Sequence, residues 1–256
     1  MPFTPAHVAA VLPFASSARL RRVLDPWALA AGAMVPDLPL FIPFLPEYIS
    51  WHDARGVLTY GVVSVVILLG LLQQVFWEPL VSLLPPAFAA RAAGLRPSFR
   101  PLPVVAGAIV GGLTHVFWDS FTHERSLSIW GWSWLGEPVY GSVRMYGLLQ
   151  YLSSVAGLAL ILWWSRRGLL RLAPETLPAR LAAGARTRLT VFAACAAGIV
   201  AGALVWPLIK VPDPALGLRA WVTKAGAGTV IGLAAVLAVH AAVWHWQYSR
   251  RAGVRD

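Results

Sequence analysis

The sequence predicts an all-α fold, a polytopic membrane helical bundle of about six transmembrane helices with a short N-terminal apolar or re-entrant helix. Three observations carry that prediction. Hydrophobic residues make up 58% of the 256 and charged residues only 12%, about half the charge of a soluble domain. Several apolar runs reach the roughly 20 residues that a helix needs to cross about 30 Å of hydrocarbon. The basic residues alternate between two sets of loops. So little charge cannot cover the surface of a soluble protein, and so much apolar content excludes a disordered chain.

The spans follow in order. Residues 5–16 are apolar but too short to cross unaided. Residues 27–45 form a candidate first span that contains Pro36, Pro39 and Pro43 with Asp37 among them. Prolines remove backbone donors, so this span is expected to be broken. Residues 57–83 form a second span, with Gln73, Gln74 and Glu78 near its far end. Residues 102–120, 145–164, 189–209 and 221–246 complete the set. Small-xxx-small pairs at Gly107/Gly111, Gly198/Gly202 and Gly228/Gly232 predict close helix approaches. The chain is read as a single membrane domain over 1–256. Residues 1–165 carry the motifs, and 166–256 supply two further spans and a basic tail.

The net charge of +10 is read as an orientation signal and not as a nucleic-acid footprint. Arg19, Arg21, Arg22, Arg91, Arg96, Arg100, the basic loop from Arg166 to Arg188, and Arg250, Arg251 and Arg255 fall on one side. By the positive-inside rule that side is cytoplasmic, which puts the C-terminus there. Arg55, Arg125, Arg144, Lys210, Arg219 and Lys224 fall on the other. The N-terminus lacks the leading cations of a signal peptide. The lone Cys195 excludes an intrachain disulfide. Trp130, Trp132 and Trp134 form a dense outer-loop cluster, read as an interfacial belt or as a lid on the headgroups.

His115, Asp119 and His123 recur every four residues in the outer half of the third long apolar run. Each step drifts about 40°, so the three share one helical face. Ionisable groups inside a membrane are costly and mark candidate sites. His115 and Asp119 are about 6 Å apart along the axis and can share an ion. His115 and His123 are about 12 Å apart. Three arrangements remain open: Asp119 bridges two ions, the helix unwinds before His123, or His123 stands behind the ligands. Asp37 at the proline-broken point, His52 and Asp53 in the next outer loop, and His7 complete the candidate set. Imidazole with carboxylate suits zinc, manganese or iron. A structural reading stays open beside the metal reading, with Asp119 pairing with His115 or Arg125 to hold helices in register.

The opening Met-Pro-Phe-Thr-Pro-Ala-His-Val-Ala, the segment Gly32-Ala33-Met34-Val35-Pro36-Asp37 and His52 carry a family resemblance. So do Gly112-Leu113-Thr114-His115-x-x-x-Asp119-Ser120-Phe121-Thr122-His123 and Leu148-Leu149-Gln150-Tyr151. Together these resemble the integral-membrane domain-of-unknown-function family 4184, over most of residues 1–165. Asp53 stands where that family favours Ser or Thr. The pattern is more distantly similar to bacterial inner-membrane metal-dependent hydrolases and to zinc phospholipase C-type enzymes.

The residues and the resemblance together lead to an expected multi-pass protein of the bacterial cytoplasmic membrane, hydrolysing a lipid or lipid-linked phosphate ester near the outer leaflet. One or two divalent ions, zinc before manganese or iron, would be held by His7, Asp37, His52, His115, Asp119 and His123. Asp53 or Glu124 would act as general base, and Thr114 and Thr122 would orient ligands. The expected partners are membrane lipids, and no nucleic acid. A cation- or proton-coupled transporter and a non-catalytic membrane scaffold are the competing readings.

Overall fold

The protein is described by a computed structural model over residues 3–96, 99–141, 143–214 and 217–252. Arg255 lies outside the described residues, as do the side chains of Arg219, Arg250 and Arg251. The fold is helical. A 3₁₀ turn, Thr4–His7, leads into α1 (Val8–Ser16). There follow α2 (Pro26–Gly32), α3 (Ala54–Ser82), α4 (Pro86–Ala92), α5 (Pro101–Thr122), α6 (Ser126–Trp130), α7 (Met145–Arg171), α8 (Ala185–Ile209) and α9 (Gly217–Ala252). A small antiparallel ribbon, β1 (Pro138–Tyr140) with β2 (Val143–Arg144), precedes α7. The helices α3, α5, α7, α8 and α9 are each long and apolar enough to cross a membrane, making this a multi-pass membrane protein.

The predicted span at 27–45 is broken as its prolines require. Helix α2 starts on an Asp25 cap whose carboxylate accepts from the backbone N–H of Trp27 and Ala28, at 3.0 and 2.9 Å, with Pro26 at the first helical position. It ends at Gly32. The chain then tightens into a 3₁₀ turn, Val35–Leu40, that buries Asp37. Proline cannot donate the hydrogen bonds an α-helix would need there.

The chain divides into two compact units, Met1–Gly70 with Pro97–Gly168, and Leu71–Arg96 with Leu169–Asp256. In the first, α2 lies against α5 at backbone contact. A Cβ on Gly107 would come within 2.8 Å of the Asp25 carbonyl, and one on Gly111 would run into the carbonyl of Leu29. The predicted small-residue row is thus the surface that admits α2. Val11, Leu24, Leu29 and Ala33 form one apolar cluster beside this contact, and Val35, Trp51, Val65, Val104 and Ala108 belong to another.

In the second unit, α8 and α9 meet through the other two predicted pairs. Gly202 faces Gly228, and a Cβ on Gly198 would lie 2.8 Å from the Gly232 carbonyl. Nε2 of His240 and His245 lies 3.3 and 2.9 Å from the carbonyls of Pro79 and Val75. Glu78 forms a two-pronged ion pair with Arg180, at 3.0 and 3.1 Å. These contacts of His240, His245, Glu78 and Arg180 tie segments of this unit together.

Candidate metal centre

Three elements of the first unit bring the site together. Helix α5 supplies His115 and Asp119 on the face the four-residue spacing defines. The 3₁₀ turn after α2 supplies Asp37, and the turn before α3 supplies His52. All four are buried, with Asp37, His115 and Asp119 at 0% exposure and His52 at 7%. One ligand atom from each lies within 4.8 Å of every other.

Nε2 of His115 is 3.5 Å from Asp37 Oδ1 and 3.5 Å from Asp119 Oδ2. Nε2 of His52 is 3.6 Å from each of the same two oxygens. These separations are too long for good hydrogen bonds, which run about 2.7–3.2 Å. With all four atoms within 4.8 Å of one another, the group could hold a metal ion, since ligand atoms around zinc each lie about 2.0–2.2 Å from it. His115 Nε2, His52 Nε2 and both oxygens of Asp119 are buried without a hydrogen-bond partner among the described residues. Buried polar atoms are ordinarily paired, so a set left unpaired and convergent fits a divalent cation.

The outer contacts orient these ligands. His115 Nδ1 lies 2.8 Å from the Ala33 carbonyl and His52 Nδ1 lies 3.0 Å from the Tyr48 carbonyl. A carbonyl only accepts, so each Nδ1 carries a proton, and each Nε2 faces the carboxylates. The Ala33 contact depends on the close approach of α2 to α5 at Gly111. Asp37 accepts from Thr4 Oγ1 at 2.6 Å and from the Tyr48 hydroxyl at 3.2 Å.

His7 and His123 face the other oxygen of Asp119. His7 Nε2 is 3.5 Å and His123 Nδ1 is 3.7 Å from Oδ1. The His7 ring stacks on His115, centroids 3.8 Å apart. His123 Nδ1 also lies 3.0 Å from the Asp119 carbonyl. Burial holds the imidazole of His123, which follows the last residue of α5, down to about 4. Arg125 completes the ring, NH2 3.8 Å from Asp119 Oδ2, with its Nε buried and unpartnered among the described residues.

Among the other expected site residues, Asp53 and Glu124 are exposed and Thr122 is buried. Asp53 caps the first turn of α3, accepting from the Gly56 N–H at 2.6 Å. Neither carboxylate is part of the buried group. Thr114 donates to the Gly111 carbonyl at 2.7 Å and so serves its own helix. Thr122 Oγ1 is 3.3 Å from His123 Nδ1. Thr4, Tyr48 and the Ala33 carbonyl have no signature in the spacing of charged residues, and only the fold shows their part. The aromatics around α6 stack in series: Phe121 on Trp130 at 4.8 Å, Trp130 on Trp132 at 5.2 Å, and Trp132 near Trp134 at 6.0 Å.

A family model described as Domain of unknown function (DUF4184) matches residues 1–246. The chain belongs to this family. The DUF4184 match runs past the motif-bearing part, through α8 and most of α9. No curated protein and no solved structure matches the chain. The DUF4184 assignment therefore brings no activity with it, and function rests on the site.

Proposed function

We propose that this protein is a membrane-embedded, metal-dependent hydrolase of a lipid or lipid-linked phosphate ester. One observation carries the reading: four buried ligand atoms converge at 3.5–3.6 Å with no hydrogen bonds among them. Asp37, His52, His115 and Asp119 would hold the ion, with zinc the best match to two imidazoles and two carboxylates at this spacing. A bound ion of this kind lowers the pKa of a coordinated water toward neutrality and polarises the scissile oxygen. A scaffold reading fits less well, because polar groups that glue helices together do so by hydrogen bonding.

The charge count points to an anionic substrate. Two carboxylates balance a divalent cation, which leaves the Arg125 guanidinium as net positive charge at the site. Its unpartnered Nε is suited to a phosphoryl oxygen. His7, with neither ring nitrogen hydrogen-bonded among the described residues, is the group we assign to proton transfer. His123 steadies Asp119 from the far side. From the distribution of cations, the site would lie toward the outer leaflet and the C-terminus in the cytoplasm.

The test is hydrolysis of phosphate mono- and diester lipids in mixed micelles by metal-loaded protein. Phosphate or headgroup release should stop with a chelator, return with zinc and be lost in Asp119→Asn. Metal-loaded protein inactive on every such ester would refute the reading. Proteoliposome ion flux abolished by the same substitution would replace it with transport.

A further inference from the structure

The N-terminal segment, α5 and α7 line an open groove of about 260 Å³, with His7 in its wall. Its sides are small or apolar: Ala9 and Ala10 from α1, Trp118 from α5, and Ala156 and Leu160 from α7. The floor is closely packed, since a Cβ on Gly157 would lie 2.8 Å from the Ala6 carbonyl. Ser153 also lines the groove, but its hydroxyl is taken by the Gln150 carbonyl at 3.1 Å. Polar demand therefore concentrates at His7, which is 2% exposed and has both ring nitrogens unpartnered among the described residues.

Depth decides what fits this groove. Ser153 and Leu160 lie about 12 and 22 Å along α7 from Met145, inside a span that must cross about 30 Å of hydrocarbon. Trp118 and Leu160 are 40% and 45% exposed, so the groove opens sideways at that depth. A water-soluble ligand would have to leave water to reach it, whereas an acyl chain is already there. His7, which lines it, lies 3.5 Å from Asp119 Oδ1 and stacks on His115, both of the candidate metal cluster.

We propose that this groove holds one acyl chain of a membrane lipid and presents that lipid's head to the cluster past His7. The identity of the lipid as a phosphate ester rests on the function proposed above; occupancy by an acyl chain does not. Entry would be lateral, from the bilayer between α5 and α7, so the substrate would need no extraction into water.

A phospholipid carrying a photoactivatable diazirine on its acyl chain, incorporated with the full-length protein in nanodiscs, tests this directly. Peptide mapping should find label on Trp118 and on the Ser153–Leu160 stretch at several times the level on Leu204 of α8, an ordinary apolar position 67% exposed. Ala10→Phe, which fills the groove, should lower that label several-fold and leave metal content unchanged. Ala156→Phe, at an exposed position on α7, repeats the test should the first variant fold poorly. Groove label no higher than at Leu204, label indifferent to both fillings, or cross-links to a second protein chain would each overturn the proposal. A labelled groove in protein that binds no metal would support the chain site while refuting the hydrolase reading. Bound metal with an unlabelled groove would do the reverse.

Discussion

Replacing Thr4 with valine keeps the side-chain volume and removes one hydrogen bond, the 2.6 Å contact to Asp37 Oδ2. Asp37 is fully buried, so water cannot take the place of that donor. Partners that orient metal ligands from outside are typically worth 10–100-fold in metal affinity, or about 1.4–2.7 kcal/mol. The Thr4 contact is short and charge-assisted, which puts it toward the upper end. Tyr48 reaches Asp37 Oδ1 at 3.2 Å, a longer bond that belongs near the lower end. Thr4→Val should therefore weaken zinc binding by close to a hundredfold, and Tyr48→Phe by close to tenfold. The assay is competition of metal-stripped protein with a chelator of known zinc affinity, in detergent. Wild-type affinity in a folded Thr4→Val protein, or a larger loss in Tyr48→Phe, would refute the reasoning.

Other predictions follow from neighbouring geometry. Gly111→Ala drives a methyl group into α2 backbone and should cost about 1–3 kcal/mol as overpacking, read as a lower melting temperature in detergent together with reduced metal content. Gly70→Ala, with open space around it, should do neither. Arg125→Gln should leave metal content intact and weaken inhibition by inorganic phosphate; equal inhibition in both proteins would remove Arg125 from substrate binding. Thr114→Val should bind metal as the wild type does, because its hydroxyl serves the Gly111 carbonyl; a lost ion would show a role in the site. Arg180→Ala breaks a partly exposed ion pair and should cost no more than about 1 kcal/mol, measured by thermal unfolding.

Much of the site was legible because helical periodicity needs no tertiary knowledge. The four-residue spacing of His115, Asp119 and His123 places them on one face, and glycines at 107 and 111 on the same row mark where another backbone comes close. Asp37 stood out as a charge among prolines in an apolar run. The 12 Å between His115 and His123 was legible as a difficulty. In the fold the two lie against opposite oxygens of Asp119. The partners supplied from distant segments were not legible. Nothing local to Thr4 or Tyr48 tells that the fold aims their hydroxyls at Asp37, and no sequence pattern marks the Ala33 carbonyl as the acceptor for His115. Asp53 shows the opposite case, a carboxylate next to a ligand histidine whose position one residue before a helix makes it a cap.

The proposed function requires a divalent ion held by Asp37, His52, His115 and Asp119. Elemental analysis of detergent-purified protein, prepared with metal present and then desalted, tests it most directly. The wild type should retain about one equivalent of a transition metal or more, and a double Asp37→Asn, Asp119→Asn variant that still folds should retain almost none. Wild-type protein with less than about a tenth of an equivalent, or a double variant that keeps the full complement, would contradict it.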